Sequence, residues 1–217
     1  MRLLWVVLFE GIEKQFPEQE HFISFVSFNG LGIKHLHSVE PAGTLKEINS
    51  RNYMPDASTP LFDAMGSAIN RLRESLDGQS NYNVLVTVLT DGEENASVEF
   101  SAFDIRMLVE KLKLEKWTFT YIGTDHDVEK IALSLSIDNT MVFEKNDAQI
   151  NEMFKKEQYA RTKFSEKIRT NEDTTLNYFD EPEKWKSWMK SVDRKFDDES
   201  LKGVRQTAKS IIYMSIY

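Results

Sequence analysis

The feature that most constrains the fold is a nearly unbroken apolar run, Val84-Leu85-Val86-Thr87-Val88-Leu89, which passes directly into Thr90-Asp91-Gly92. A strand with one wet face alternates polar and apolar residues. A strand that does not alternate is covered on both faces, which is the situation of a central strand in a parallel sheet. The run therefore predicts such a strand. It also puts a carboxylate, Asp91, at the carboxyl end, where open α/β sheets form their ligand crevice.

The surrounding pattern agrees. Residues 21–28 are aromatic and β-branched and read as a strand. Asn29-Gly30-Leu31-Gly32 is a turn, and residues 33–39 read as the second arm of an edge hairpin. Leu61, Met65, Ile69, Leu72 and Leu76 recur at helical spacing and stop at Asp77-Gly78. A helix is expected over 102–115, a strand over 117–122, a short helix over 128–135, a short strand over 140–143 and a long amphipathic helix over 148–168. Strand and helix alternate from 21 to 168, which predicts a doubly wound, mostly parallel sheet with helices on both faces, of the Rossmann-like kind. Residues 2–15 read as a buried helix and not as a signal peptide, because Glu10, Glu13 and Lys14 follow the apolar run and no small-x-small cleavage site appears. No apolar run approaches the length of a membrane span.

Residues 170–181 are polar and read as a linker. Beyond them Trp185, Trp188, Met189, Val192 and Phe196 form one helical stripe, expected to pack on the parent domain in preference to a partner. Residues 211–217 fit either a helix end or a strand. The expected organisation is one α/β domain over 1–169 and a mainly helical C-terminal extension over 170–217, packed on the domain.

Composition narrows the function. With 41% hydrophobic residues in 217, the chain has ample material for a core. A net charge of -8 repels phosphates, so neither nucleic acid nor an anionic membrane is an expected partner. There are no cysteines, which excludes disulfides, thiolate metal sites and cysteine nucleophiles and fits a cytoplasmic setting.

About 30 residues before Thr90-Asp91-Gly92, the segment Thr59-Pro60-Leu61-Phe62-Asp63-Ala64 opens a helix. The pair of segments resembles the von Willebrand factor type A family, particularly small intracellular bacterial and phage members, and Tyr121-Ile122-Gly123-Thr124-Asp125 resembles that family's fifth strand. The likeness covers about residues 1–168. It implies a protein-interaction module with a metal ion-dependent adhesion site, in which Thr59 and Asp91 ligate Mg²⁺ or Mn²⁺ and a partner's acidic side chain completes the shell. Ser58, Gly92, Glu93, Asp125 and Asp127 would form the partner-binding rim. The chemistry is sound in itself, since hard divalent cations take oxygen ligands.

One departure stands out. The family's first strand ends in Asp-x-Ser-x-Ser and supplies the remaining ligands, but no such motif precedes residue 21. Asp56-Ala57-Ser58-Thr59 imitates it in the wrong loop. With Thr59 and Asp91 alone, metal binding is expected to be weak or inactive, and the domain N-terminally incomplete. In the family that strand lies mid-sheet, between the counterparts of 21–28 and 84–89. Unpaired buried backbone groups cost about 1–3 kcal/mol each, so the gap must be filled. The two neighbours could pair directly, residues 211–217 could insert, or an upstream segment could supply the strand; the last is the favoured expectation.

Two other functions are carried as alternatives. One is a metal-assisted hydrolase acting through Asp91, Glu93 and Glu94; no positioned nucleophile accompanies them, so Glu93 and Glu94 read as loop charges. The other is an accessory subunit docking through the Trp185–Phe196 stripe. His35 and His37 have the spacing of a strand metal pair but no third ligand. Gly30-x-Gly32 lacks the context of a dinucleotide site, and Asn95-Ala96-Ser97 matters as a glycosylation sequence only outside the cell.

Overall fold

The computed structural model describes residues 12–45, 58–124, 127–179, 184–191 and 210–217. Along these the elements are α1 (Ile12–Gln15), β1 (Phe22–Asn29), β2 (Gly32–Pro41), α2 (Leu61–Ser75), β3 (Val84–Thr90), α3 (Ala102–Lys113), β4 (Trp117–Gly123), α4 (Val128–Ser134), β5 (Asn139–Val142), α5 (Asp147–Thr170), α6 (Lys184–Ser191) and β6 (Ser210–Ile216). The strand and helix positions agree closely with the sequence periodicity. Of the expected N-terminal helix only its last turn, α1, lies among the described residues, and Val192 and Phe196 of the tryptophan stripe lie outside them.

The six strands form one sheet in the order β2-β1-β6-β3-β4-β5. Every residue of β3 is buried. Val84, Val86 and Val88 face a core shared with Leu61, Met65, Ile69 and Leu72 of α2 and Ile105, Val109 and Leu112 of α3. Leu89 faces the other way, toward Met153 and Phe154 of α5, and Leu85 packs with Ala160 and Phe164 of the same helix. The lack of alternation in this strand thus reflects helices on both faces.

Two expectations need correction. The sheet is mixed, not mostly parallel: β3–β4 and β4–β5 pair in parallel, whereas β1–β2, β1–β6 and β3–β6 are antiparallel. The chain end is also not simply a helical extension. Residues 184–191 are helical, but residues 210–216 are a fully buried strand. That strand lies between β1 and β3, in register with Phe22–Ser27 on one side and Val84–Thr90 on the other. A boundary at 169/170 divides the chain in sequence, yet the sheet draws on both sides of it. Residues 210–216 thus stand between β1 and β3, the arrangement expected of the second of the three repairs. Since β1 and β3 point the same way, a strand arriving at their carboxyl end must run antiparallel to both.

The described part of the polar stretch, residues 171–179, is also not a free linker but packs on the domain. Thr174 and Tyr178 of the polar stretch are buried. The Thr118 hydroxyl donates to the Thr174 carbonyl at 2.9 Å, and Asn139 Nδ2 donates to the Thr175 carbonyl at 3.0 Å. In α6, Trp185 is buried and the Trp188 ring lies 5.6 Å from that of Tyr159 on α5, so the described part of the stripe covers the domain.

β6 is tied to α5 by a buried polar network. Glu157 and Arg161, one helical turn apart, have side chains with no solvent exposure and pair at 2.6 Å. Arg161 also donates to the Ser215 hydroxyl and, at 3.1 Å, to the Tyr217 hydroxyl, and its guanidinium lies 5.2 Å from the centre of the Tyr213 ring. Tyr178 donates to Glu157 at 3.1 Å. Burial opposes the charge on Arg161, but Glu157 and the surrounding tyrosines outweigh it and hold the guanidinium protonated well above its ordinary range. Burial, reinforced by Glu157, pushes the Tyr178 and Tyr213 hydroxyls well up.

Candidate functional site

The carboxyl end of β3, paired there with that of β4, meets the amino end of α2 at one end of the strands, and this is where the two sequence motifs converge. Thr59, in the two-residue lead to α2, is buried. Its N–H donates to Asn95 Oδ1 at 2.8 Å, while the Asn95 N–H donates back to the Thr59 carbonyl at 3.2 Å. The two loops are thereby joined by a reciprocal pair of hydrogen bonds, one of them through the Asn95 side chain. The approach is so close that a β-carbon on Gly92 would lie 2.8 Å from Thr59 Oγ1. Glycine at 92 is what lets the Thr59 hydroxyl sit against the Asp91–Gly92 turn.

Much of the carboxylate in this region is committed to holding the loops. Glu94 accepts from the Ala96 and Ser97 N–H groups at 2.8 and 2.7 Å through one oxygen, and from the Phe62 N–H and the Ser97 hydroxyl at 3.0 and 2.6 Å through the other. Ser97 Oγ in turn accepts from the Phe62 and Asp63 N–H groups. The first-turn N–H groups of α2, which have no partner within the helix, are satisfied from the neighbouring loop. The negative charge of Glu94 also lies at the positive end of the helix. Asp63 performs the reverse service: from within α2 it accepts from the Val98, Glu99 and Phe100 N–H groups at 2.8–2.9 Å.

Asp91 follows β3 and is half-buried, and its Oδ2 lies 4.0 Å from Nζ of Lys145, which comes from the loop between β5 and α5. Thr90, one residue earlier, supports the turn. Its hydroxyl donates to the Gly92 carbonyl at 3.1 Å and accepts from the Gly92 N–H at 3.2 Å. It is also 3.2 Å from the Ser210 hydroxyl at the first residue of β6. The inserted strand therefore reaches the Asp91–Gly92 turn through Ser210.

Of the expected rim, Ser58 and Gly92 are half-buried and Glu93 is exposed beside Asp91. Asp127 caps α4, accepting from the Lys130 N–H at 3.2 Å. Asp125 lies outside the described residues. His35 is bonded to Ser67 at 3.1 Å, and His37 faces Glu40 at 3.0 Å.

For a hard cation the site offers the hydroxyl of Thr59 and the carboxylate of Asp91. These fit Mg²⁺ or Mn²⁺ in kind and fall short in number. Among the described residues no three acidic or histidine side chains gather, and the Lys145 ammonium already supplies positive charge to Asp91. The sequence reading missed Lys145, Ser210 and the structural roles of Glu94, Asn95 and Ser97. Only the last two carried a visible signal, as a glycosylation sequence, and it pointed elsewhere.

No protein-family model, no curated protein and no solved structure matches the chain. Among the described residues no helix is long and apolar enough to cross a membrane.

Proposed function

We propose that the chain is a cytoplasmic protein-interaction module of the von Willebrand factor type A kind, doubly wound, whose binding surface is the crevice around Thr59, Asp91 and Gly92. The observation that carries this reading is the junction of the two motif loops, with Thr59 hydrogen-bonded to Asn95 and pressed against Gly92. The sheet order adds support: a strand lies between β1 and β3, where the family's first strand would be. Fold likeness does not choose a partner, so the partner chemistry rests on the site. A partial adhesion site of one hydroxyl and one carboxylate binds Mg²⁺ or Mn²⁺ weakly. Lys145 is its internal competitor, and a partner's acidic side chain is the expected contact.

Titration of Mn²⁺ against the protein, followed by calorimetry or electron paramagnetic resonance, tests the site. Millimolar binding is expected, lost in Asp91→Ala, weakened in Thr59→Ala and strengthened several-fold in Lys145→Ala, which removes the competing cation. Equal binding in the parent and Asp91→Ala would contradict the site. Displayed acidic peptides then test the interaction: binders of the parent protein should lose their affinity for Asp91→Ala, and binders indifferent to that change would contradict the surface.

A further inference from the structure

β6 carries little on its first face to fix its own register. Ile212, Met214 and Ile216 point into the core shared with α2 and α3. A slip of two residues exchanges one of these for another while keeping each side chain on its face. The backbone ladder with β1 and β3 would re-form over most of its length.

The second face is different. There Ser215 and Tyr217 supply hydroxyl oxygens to Arg161, and Tyr213 supplies a ring beneath its guanidinium. Arg161 and its partner Glu157 have fully buried side chains, so the guanidinium has no water to replace a missing acceptor. In a register shifted by two, Ile211 or Ser215, according to the direction of the shift, takes the place of Tyr213, and the guanidinium loses the ring beneath it. Buried ion pairs add little net stability over apolar residues of the same volume; their best-attested use is choosing one arrangement among near-equals.

The same register fixes the far end of the strand. Ser210 lies opposite Thr90 and within 3.2 Å of its hydroxyl, the group that holds the Gly92 turn. A slip by two would put an isoleucine, or a residue preceding Ser210, in that place.

We infer that Glu157 and Arg161 are positioning residues: they select the register of β6 and, through Ser210 at its other end, set the Thr90–Gly92 turn beside Thr59. The inference stands whatever occupies the crevice, because it concerns how the turn is held and not what it binds.

The absence of cysteine from the sequence gives a direct test. Val86 lies opposite Met214, so Val86→Cys with Met214→Cys reports the observed register. Val86→Cys with Ile212→Cys or Ile216→Cys reports a slip of two. Each pair is refolded under oxidising conditions with α5 unchanged and with Glu157→Met plus Arg161→Met, a volume-conserving apolar replacement. With α5 unchanged, the 86–214 cross-link should exceed the others at least tenfold. In the double-methionine background an off-register cross-link should rise several-fold with the urea midpoint unchanged or higher. The Gly92 amide resonance should move as it does in Ser210→Ala. A double-methionine protein that folds, cross-links only 86–214 and keeps the Gly92 resonance in place overturns the inference. If that protein does not fold, Ser215→Ala with Tyr217→Phe removes the strand's side of the contact and leaves α5 intact. Off-register cross-links are expected there too, and exclusive 86–214 cross-linking would overturn the inference equally.

Discussion

Single residues around the Thr59–Asn95 junction divide into those that hold the loops and those left to face outward. Glu94 receives three backbone N–H groups and a hydroxyl. Glu94→Ala should therefore cost about 2–3 kcal/mol, the range for losing hydrogen bonds to a charged group. The exposed neighbour Glu93 should tolerate alanine within about 0.5 kcal/mol, and urea unfolding of the two variants checks the contrast. A hydrolase built on this carboxylate pair would need Glu94 available, whereas both its oxygens are engaged. Arg161→Met alone should cost about 3–5 kcal/mol, because it strands the Glu157 carboxylate in the core.

Two histidines give the fold a pH dependence. Burial lowers the pKa of His21 below the ordinary 6.5, and burial together with Arg71 lowers that of His35. A depressed folded-state pKa means that the unfolded chain binds the proton more readily. The contribution is thus fully present above pH 6.5 and is lost as the pH falls from there through the folded-state values. Urea midpoints measured between neutral pH and pH 5 should fall, and His21→Phe, which keeps a ring against Tyr217, should flatten the slope. A slope unchanged in that variant would count against the role of His21.

Elements were legible where one short-range pattern decided them. The apolar run of β3, the heptad-like spacing of α2 and the turn after β1 each specify their own conformation, and the structure follows them to within a few residues. β6 was only half legible. Its β-branched and aromatic residues mark a strand, but both of its faces are buried, so no alternation reveals its neighbours. Its direction depends on the end of the sheet at which the chain arrives, which no local pattern records. The meeting of the two motif loops was legible to a similar degree. Thr59 and Asp91 lie on loops that do meet, whereas Lys145 and Ser210 come from 54 and 119 residues beyond Asp91 and carry no local mark. Because β6 serves two ladders at once, a chain lacking residues 210–217 should lose its cooperative unfolding transition, as followed by near-ultraviolet circular dichroism. A sharp transition in that chain would mean β1 and β3 can close directly on one another.

At the scale of the whole molecule, a sheet whose centre is filled by a strand some 120 residues beyond its neighbour β3 cannot be completed until the chain has returned to it. The buried pair on α5, the hydroxyls of Ser215 and Tyr217, and the Ser210–Thr90 contact then link the core, the inserted strand and the Thr90–Gly92 turn in one line. The claim on which all of this depends is that residues 210–216 form the central strand. Native-state amide hydrogen exchange, resolved at single residues, tests it most directly. Exchange at Ile212–Ser215 should be as slow as at Val86–Leu89, close to the limit set by global unfolding. Exchange of Ile212–Ser215 at rates near those of an unstructured peptide, while Val86–Leu89 stay protected, would contradict it.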